Sequence, residues 1–221
     1  MFSVIFEVQP KDAAHRDQYL AHARDLKPQL EQIDGFIDIE RFPRRDRESR
    51  MLSLSTWRDE KALIRWRTLE QHHDIQEKGR FEIFADYSLR VGEIISDSHV
   101  PPGQRLREQR FDQTEIGVAK IVTLDEYPPN APGMSNEDAR LERVSTFGIL
   151  GLIEVGIFDS MYNPGKVLVL TAWRDEDART GASHGANDAS GLRRRTVRVV
   201  REYGMFDRRE APQYYRAIER S

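Results

Sequence analysis

An α+β fold of two tandem ferredoxin-like β-α-β-β-α-β units is what three features of the sequence predict. A strand-to-helix junction occurs twice, as LSLSTWRDEKA over 52–62 and VLVLTAWRDEDA over 167–178, with Trp-Arg-Asp-Glu shared. Alternating and helical stretches then follow in the same order on both sides of the chain's midpoint. Between them lies a stretch poor in apolar residues that carries Pro101-Pro102-Gly103. The implied division is residues 1–97, a linker over 98–113, a divergent second unit over 114–203 and an extension over 204–221.

Each element has its own signal. Phe2 to Val8 alternates, with Phe2, Val4, Phe6 and Val8 on one side and Ser3, Ile5 and Glu7 on the other, and Pro10 ends this strand. Asp12 to Ile33 has helical spacing through Ala14, Tyr19, Leu20, Ala23, Leu26 and Leu30, closed by Asp34-Gly35. Phe36 to Phe42 and Met51 to Trp57 alternate on either side of the charged turn PRRDRES and form a hairpin. One helix is expected from Asp59 to Lys78, with Asp59 and Glu60 in its first turn, where the helix dipole favours anions. Gly79 stops it, and Phe84 to Ile95 is the last strand of the half. The second half repeats the order more weakly: a strand from Glu115 to Leu124, a helix from Asn136 to Phe147, and strands Leu152–Phe158 and Lys166–Trp173. The helix opening at Asp175 meets Gly181, Gly185 and Gly191, each costing about 1 kcal/mol against Ala, before the closing strand Arg194–Arg201. Helices on one face of each four-stranded sheet leave the other face bare. Pairing the bare faces buries both, within one chain as an internal pseudo-dimer or with a second copy. The aromatic tail from Glu202 is expected to pack across the surface or onto another subunit.

With 38% hydrophobic and 32% charged residues, the chain can bury a core. A net charge of −3 speaks against a nucleic-acid partner, which needs a basic face. No cysteine is present, so disulfides and thiolate chemistry are excluded. No stretch approaches 18 apolar residues and no leader pattern opens the chain, so no membrane contact is expected and the cytoplasm is the expected compartment. Phosphate loops, nucleophile elbows, metal-spaced histidine pairs and dinucleotide fingerprints are absent, which leaves flavin and nicotinamide without support.

The segments SLSTWRDEKALIRWRTLEQHH and GRFEIFADYSLRV resemble the antibiotic biosynthesis monooxygenase family of the dimeric α/β-barrel superfamily. The tail VVREYGMFDRREAP is similar to the C-terminal extension of many single-domain members, placed here after a second, divergent copy. The resemblance is strongest over residues 1–95. It implies two ferredoxin-like units paired into a barrel, with a pocket between sheet and helices. The activities it implies are cofactor-independent oxygenation of polycyclic phenols, quinol oxygenation or haem degradation. In the haem-degrading members a helix tryptophan lies on the porphyrin, a histidine ten residues later binds iron, and an asparagine on the first strand completes the set. Trp66 matches the tryptophan, nine residues after Trp57; Gln76 stands where the histidine would be, and Phe6-Glu7 where the asparagine would be.

On an uninterrupted helix, positions 62, 66, 69, 73 and 76 share one stripe. That stripe turns Trp66, Leu69, His73 and Gln76 towards the sheet and leaves His72 at its edge. His73 is either a buried, satisfied histidine or a group that orients a phenol, acts as a base or ligates haem iron. Cofactor-free oxygenation needs a base, an apolar enclosure and donors for the developing oxyanion. The candidates are His73 and Glu7 as base, Trp66 and Phe84 as wall, and Gln76, Tyr87 or Arg90 as donors, with Leu69 and His72 beside the substrate. Tyr87, Leu89 and Val91 face opposite to Asp86 and Arg90, so the two sets cannot line one pocket; Asp86 and Arg90 suit charge pairs in the barrel seam. Trp57 and Trp173 are assigned to the core, and Arg193-Arg194-Arg195 to solvent or ion pairs. In the second copy Ala182 replaces the site tryptophan, with His184 nearby, so that half reads as scaffold. The expected function is oxygenation of a small aromatic or quinol-type substrate with no bound cofactor and no metal. Haem held by His73 is the alternative, and a non-catalytic binding or assembly module is the third reading.

Overall fold

The computed structural model describes residues 1–129, 149–182 and 191–219. In chain order the elements are β1 (Phe2–Pro10), α1 (Ala13–Glu31), β2 (Phe36–Pro43), β3 (Met51–Trp57), α2 (Glu60–Arg67) and α3 (Glu70–Lys78). They continue with β4 (Phe84–Asp97), β5 (Ile121–Tyr127), β6 (Leu152–Asp159), β7 (Val167–Trp173), α4 (Glu176–Ala182) and β8 (Arg193–Gly204). The helix expected over 136–147 lies outside the described residues.

The eight strands among the described residues join one antiparallel sheet in the order β2-β3-β1-β4-β8-β5-β7-β6. Each half contributes four strands in the same order read from opposite ends, and β4 zips onto β8 from Ser88↔Gly204 to Asp97↔Arg195. The far edges meet through the Arg44↔Phe158 bridge. The two bare faces therefore do more than stack: their edges hydrogen-bond, and closure satisfies edge strands that would otherwise be open to pairing. The barrel interior draws on both halves, with Ile5, Phe42 and Leu54 packed among Val122, Leu124 and Leu170. Pairing of the halves runs within the single chain.

The two Trp-Arg-Asp-Glu tetrapeptides occupy matching surroundings. Asp59 caps α2 by accepting from the Ala62 N–H at 2.8 Å, and Asp175 accepts from Ala178 at the same distance. Arg58 N–H donates to the Gly35 carbonyl and Arg174 N–H to the Gly151 carbonyl, both at 2.8 Å. Gly35 and Gly151 have φ of +92° and +82°, and a Cβ on either would sit 2.7 or 2.4 Å from the alanine of the facing helix. Only glycine allows both the turn and the approach. Trp57 is buried, as expected of a core residue, with Nε1 donating to Ser55 Oγ at 2.9 Å.

Several boundaries differ from the expected ones. The helix over 59–78 is broken: Thr68 turns its hydroxyl back onto the Ile64 carbonyl at 2.9 Å, and Leu69 is extended, so α3 starts in a new phase. Gly79 leads into a wider π-type turn, Gly79–Ile83, instead of ending the helix outright. β5 begins at Ile121, not Glu115, because 114–116 is pinned to the Glu210 carboxylate, with Glu115 N–H donating at 2.6 Å. β8 runs past Arg201 to Gly204. The linker is packed too: Leu106 rests on the barrel core, and the N–H groups of Gln109 and Arg110 donate to Glu93 at 2.6 and 3.1 Å. No helix among the described residues is long and apolar enough to cross a membrane.

Candidate functional site

On the outer face of the first half's sheet, covered by α1, α2 and α3, lies a cavity of about 200 Å³. Its floor is the β1 and β4 face that carries Val4, Phe6, Tyr87 and Leu89. The tail after β8 returns to close one end with Arg208, Gln213 and Tyr215. Phe84 packs edge-on against Phe6 and Tyr19, with ring centroids 6.0 and 5.3 Å apart, which makes that wall aromatic.

The break at Thr68–Leu69 decides which histidine faces in. The restarted helix turns His72 and Gln76 to the cavity with Trp66, and turns His73 and Leu69 away from it. The His72 ring stacks on the Trp66 indole, with centroids 4.1 Å apart and planes 20° from parallel. His72 Nδ1 lies 3.0 Å from the Trp66 carbonyl and 2.9 Å from the Gln76 amide nitrogen. Each neutral tautomer thus has a partner at Nδ1, donating to the carbonyl or accepting from the amide. Nε2, which has no partner among the described residues, can then accept or donate. Burial pushes His72 down to about 4; the Trp66 carbonyl opposes that shift and His73 adds to it. The ring is neutral at neutral pH.

Four of the expected residues, Trp66, Gln76, Phe84 and Tyr87, line the cavity beside His72. Glu7, His73 and Leu69 do not. Glu7 sits on the opposite face of β1, inside the barrel, where Arg44 and Arg50 each pair with it at 3.1 Å. His73 faces the tail, its Nδ1 3.3 Å from the Tyr215 hydroxyl and the two rings stacked. Leu69 is the extended joint between α2 and α3. Arg90 is in the seam, bound to Glu202 on β8 and Glu154 on β6, each at 3.1 Å, while Asp86 pairs with Arg50 of its own half at 3.0 Å. Among the described residues no cluster of three or more His, Cys, Asp or Glu could hold a metal ion.

The sequence pattern missed Tyr19, His22, Arg41, Arg80, Tyr203 and Arg208, all of which line the same cavity. His22 follows Tyr19 by three residues on α1 and shares its inward stripe, and its Nε2 is buried without a partner among the described residues. Arg80 is 2% exposed and donates to the Tyr87 hydroxyl at 3.1 Å and the Met205 carbonyl at 2.7 Å. Burial raises Tyr203 to about 12, against the pull of Arg67 and Arg208, so its hydroxyl stays protonated. The arrangement can hold an apolar body against Trp66 and Phe84 and offer it a neutral imidazole, an amide and protonated phenols.

A model of the antibiotic biosynthesis monooxygenase family matches residues 1–78. The chain is 38% identical over 219 residues to a protein of Pyricularia oryzae named jasmonate monooxygenase ABM, covering 97% of this chain and 98% of that one. Two aldoxime dehydratase crystal structures share the fold. The first, in complex with butyraldoxime, has a TM-score of 0.60 at 13% identity and covers 92% of this chain and 81% of its own. The second has a TM-score of 0.55 at 12% identity and covers 90% and 81%.

Proposed function

The chain belongs to the antibiotic biosynthesis monooxygenase family, and from that membership we propose that it oxygenates a small, largely apolar molecule in the cavity of its first half without a tightly held cofactor. The observation that carries this reading is the His72–Trp66 stack at the wall of a cavity whose aromatic and aliphatic side chains are accompanied by arginines. A substrate with an acidic methylene or phenol gives up a proton, and its electron-rich anion reduces oxygen directly. For a methylene the balance closes without a further reductant. The carbon loses both of its hydrogens and gains a double bond to one atom of dioxygen, and the other oxygen atom leaves with the two hydrogens as water. The substrate supplies every electron.

Magnitudes limit what His72 does alone. Moving a proton from a phenol of pKa about 10 to an imidazole of pKa about 4 costs about 8 kcal/mol. The anion must therefore be stabilised as it forms, which is work for the cavity's arginines, while His72 receives and relays the proton through Nε2. Gln76 holds the ring, Trp66 and Phe84 enclose the substrate, and Tyr87 donates to the developing oxyanion. Haem held through His73 gains nothing from this geometry, because that imidazole lies against Tyr215 outside the cavity.

Jasmonate, the compound in the Pyricularia relative's name, is the first substrate to test, beside anthrone, whose methylene is of the self-sufficient kind. Oxygen uptake and incorporation of oxygen-18 from labelled dioxygen would be followed with chelator-treated protein, with and without added reductant. The expected result with anthrone is one labelled oxygen in the product without reductant, and a loss of about 100-fold in kcat for His72→Ala. Uptake that begins only when reductant, metal or haem is added would overturn the cofactor-free reading. Absence of label from every product would overturn oxygenation.

A further inference from the structure

Among the described residues, the cavity is lined by five arginines, Arg41, Arg67, Arg80, Arg201 and Arg208, and by one carboxylate, Glu60. Glu60 is already committed, held by Arg110 Nη1 at 2.8 Å. Arg201 reaches it only at 3.7 Å. Arg41, Arg67, Arg80 and Arg208 have no carboxylate partner among the described residues. Arg41 is 8% exposed and donates to the Tyr162 hydroxyl, and Arg80 spends its donors on a hydroxyl and on the carbonyls of Met205 and Arg216. A guanidinium drawn out of water without a counter-ion is costly. Elsewhere the chain avoids that cost: Arg44, Arg90, Arg195 and Arg198 in the barrel each pair with a glutamate.

Arg67 shows the deficit most plainly. Its side chain makes no hydrogen bond or ion pair among the described residues, and its Nε is buried. It sits at the tail end of the cavity. Gln213 links it to Arg208 there, donating to the Arg67 carbonyl at 3.4 Å while its own carbonyl accepts from Arg208 Nη2 at 2.9 Å. The Arg208 guanidinium also lies 5.6 Å from the centre of the Tyr203 ring.

We infer that the substrate is an amphipathic carboxylate whose head group binds between Arg67 and Arg208 while its apolar body lies along Trp66, Phe84 and Leu89. This rests on the function proposed above and names the class of molecule that the site takes. A carboxylate suits the place because a planar guanidinium binds it through two parallel N–H donors. The tail after β8 is then part of the binding site.

The test is binding, with no turnover required. Calorimetric titration would compare 4-phenylbutyrate with 4-phenylbutan-1-ol, which keeps the apolar body and lacks the charge, at 50 and 500 mM NaCl. The intact protein is expected to prefer the carboxylate by about tenfold or more, with the preference shrinking at the higher salt. Arg67→Gln should remove the preference while leaving the alcohol's affinity unchanged, Arg208→Gln should reduce it, and Arg67→Lys should keep part of it. Far-UV circular dichroism would confirm that each variant is folded, and Arg67→Lys keeps the test valid should Arg67→Gln not fold. Equal affinities, a preference that survives both glutamine variants, or no binding of either compound would overturn the inference. A carboxylate preference without oxygen uptake would instead overturn the oxygenase reading and leave this one standing.

Discussion

Arginine does opposite work on the two faces of the first sheet. Inside the barrel, Arg44 is bound by Glu7 at 3.1 Å and by Glu154 at 2.8 Å, so one guanidinium just past β2 ties β1 of the first half to β6 of the second. Across β1, on the helix-covered face, Arg67 and Arg80 have neutral partners or none among the described residues. The residue type is the same; Arg80 is buried like Arg44, and Arg67 is half-buried with its Nε out of solvent. What differs is the counter-ion, which the chain provides where charge serves architecture and omits where a ligand can provide it. A buried pair is weak evidence of stability, but removing one partner is expensive. An unpaired cation is the reverse: its removal relieves a cost.

That contrast is broken or upheld most sharply by two substitutions. Arg44→Met leaves the buried Glu7 and the half-buried Glu154 without their shared partner, although Arg50 and Arg90 still reach them. The expected loss is about 3 kcal/mol, the low end for a broken buried pair, read as a fall of roughly 10 °C in Tm. Arg67→Gln should leave Tm unchanged or raise it. Calorimetric unfolding of both variants decides the matter. A stable Arg44→Met, or an Arg67→Gln as damaged as its barrel counterpart, would remove the distinction between the two faces.

A smaller effect separates the faces by pH. The folded pKa of His72, pushed down to about 4 by burial, lies below the usual histidine value. Below about pH 6.5 the unfolded chain therefore binds a proton that the folded chain refuses. Stability falls as pH drops from about 6.5 to about 4, by on the order of 3 kcal/mol at most. The barrel carboxylates run in another window. Burial works to raise Glu126 and Glu154, but Arg195 and Lys166 hold the first low, and Arg90 and Arg44 the second. Their contribution is full above the ordinary carboxylate range and is lost only as pH falls below it. Urea midpoints between pH 7 and 5 should thus slope with pH in the intact protein and flatten in His72→Gln. An unchanged slope in that variant would assign the effect elsewhere.

Most of the frame was readable from residue order, and most of the site was not. Alternation in Phe2 to Val8 placed the two faces of β1 correctly, and the duplicated tetrapeptide located matching turns in both halves. These are local signals. The break at Thr68 is not: a 100° stripe carried unbroken through position 69 brings His73 inward, whereas the restarted α3 brings His72. Glu7 was misplaced for a different reason, since its facing was right but the pocket belongs to the other side of the strand. Arg208 and Tyr215 lie far along the chain from Trp66, and no periodicity announces that a tail will return across a cavity.

The smallest expected effect compares the two repeats themselves. Asp59 and Asp175 cap their helices with the same 2.8 Å hydrogen bond, so the local geometry is equal. The helices behind them are not. α2 buries Ala62 and Leu63 against the sheet, while α4 buries none of its described residues. A cap matters to global stability only as far as its helix is coupled to the core, because an uncoupled helix frays without unfolding the rest. Asp59→Ala should cost about 1 kcal/mol, visible as a drop of a few degrees in Tm. Asp175→Ala should leave the main transition in place and show instead as faster amide exchange at the start of α4. Equal losses of Tm would mean that the second junction is as firmly built into the core as the first, and that the divergent half carries more than its share as scaffold.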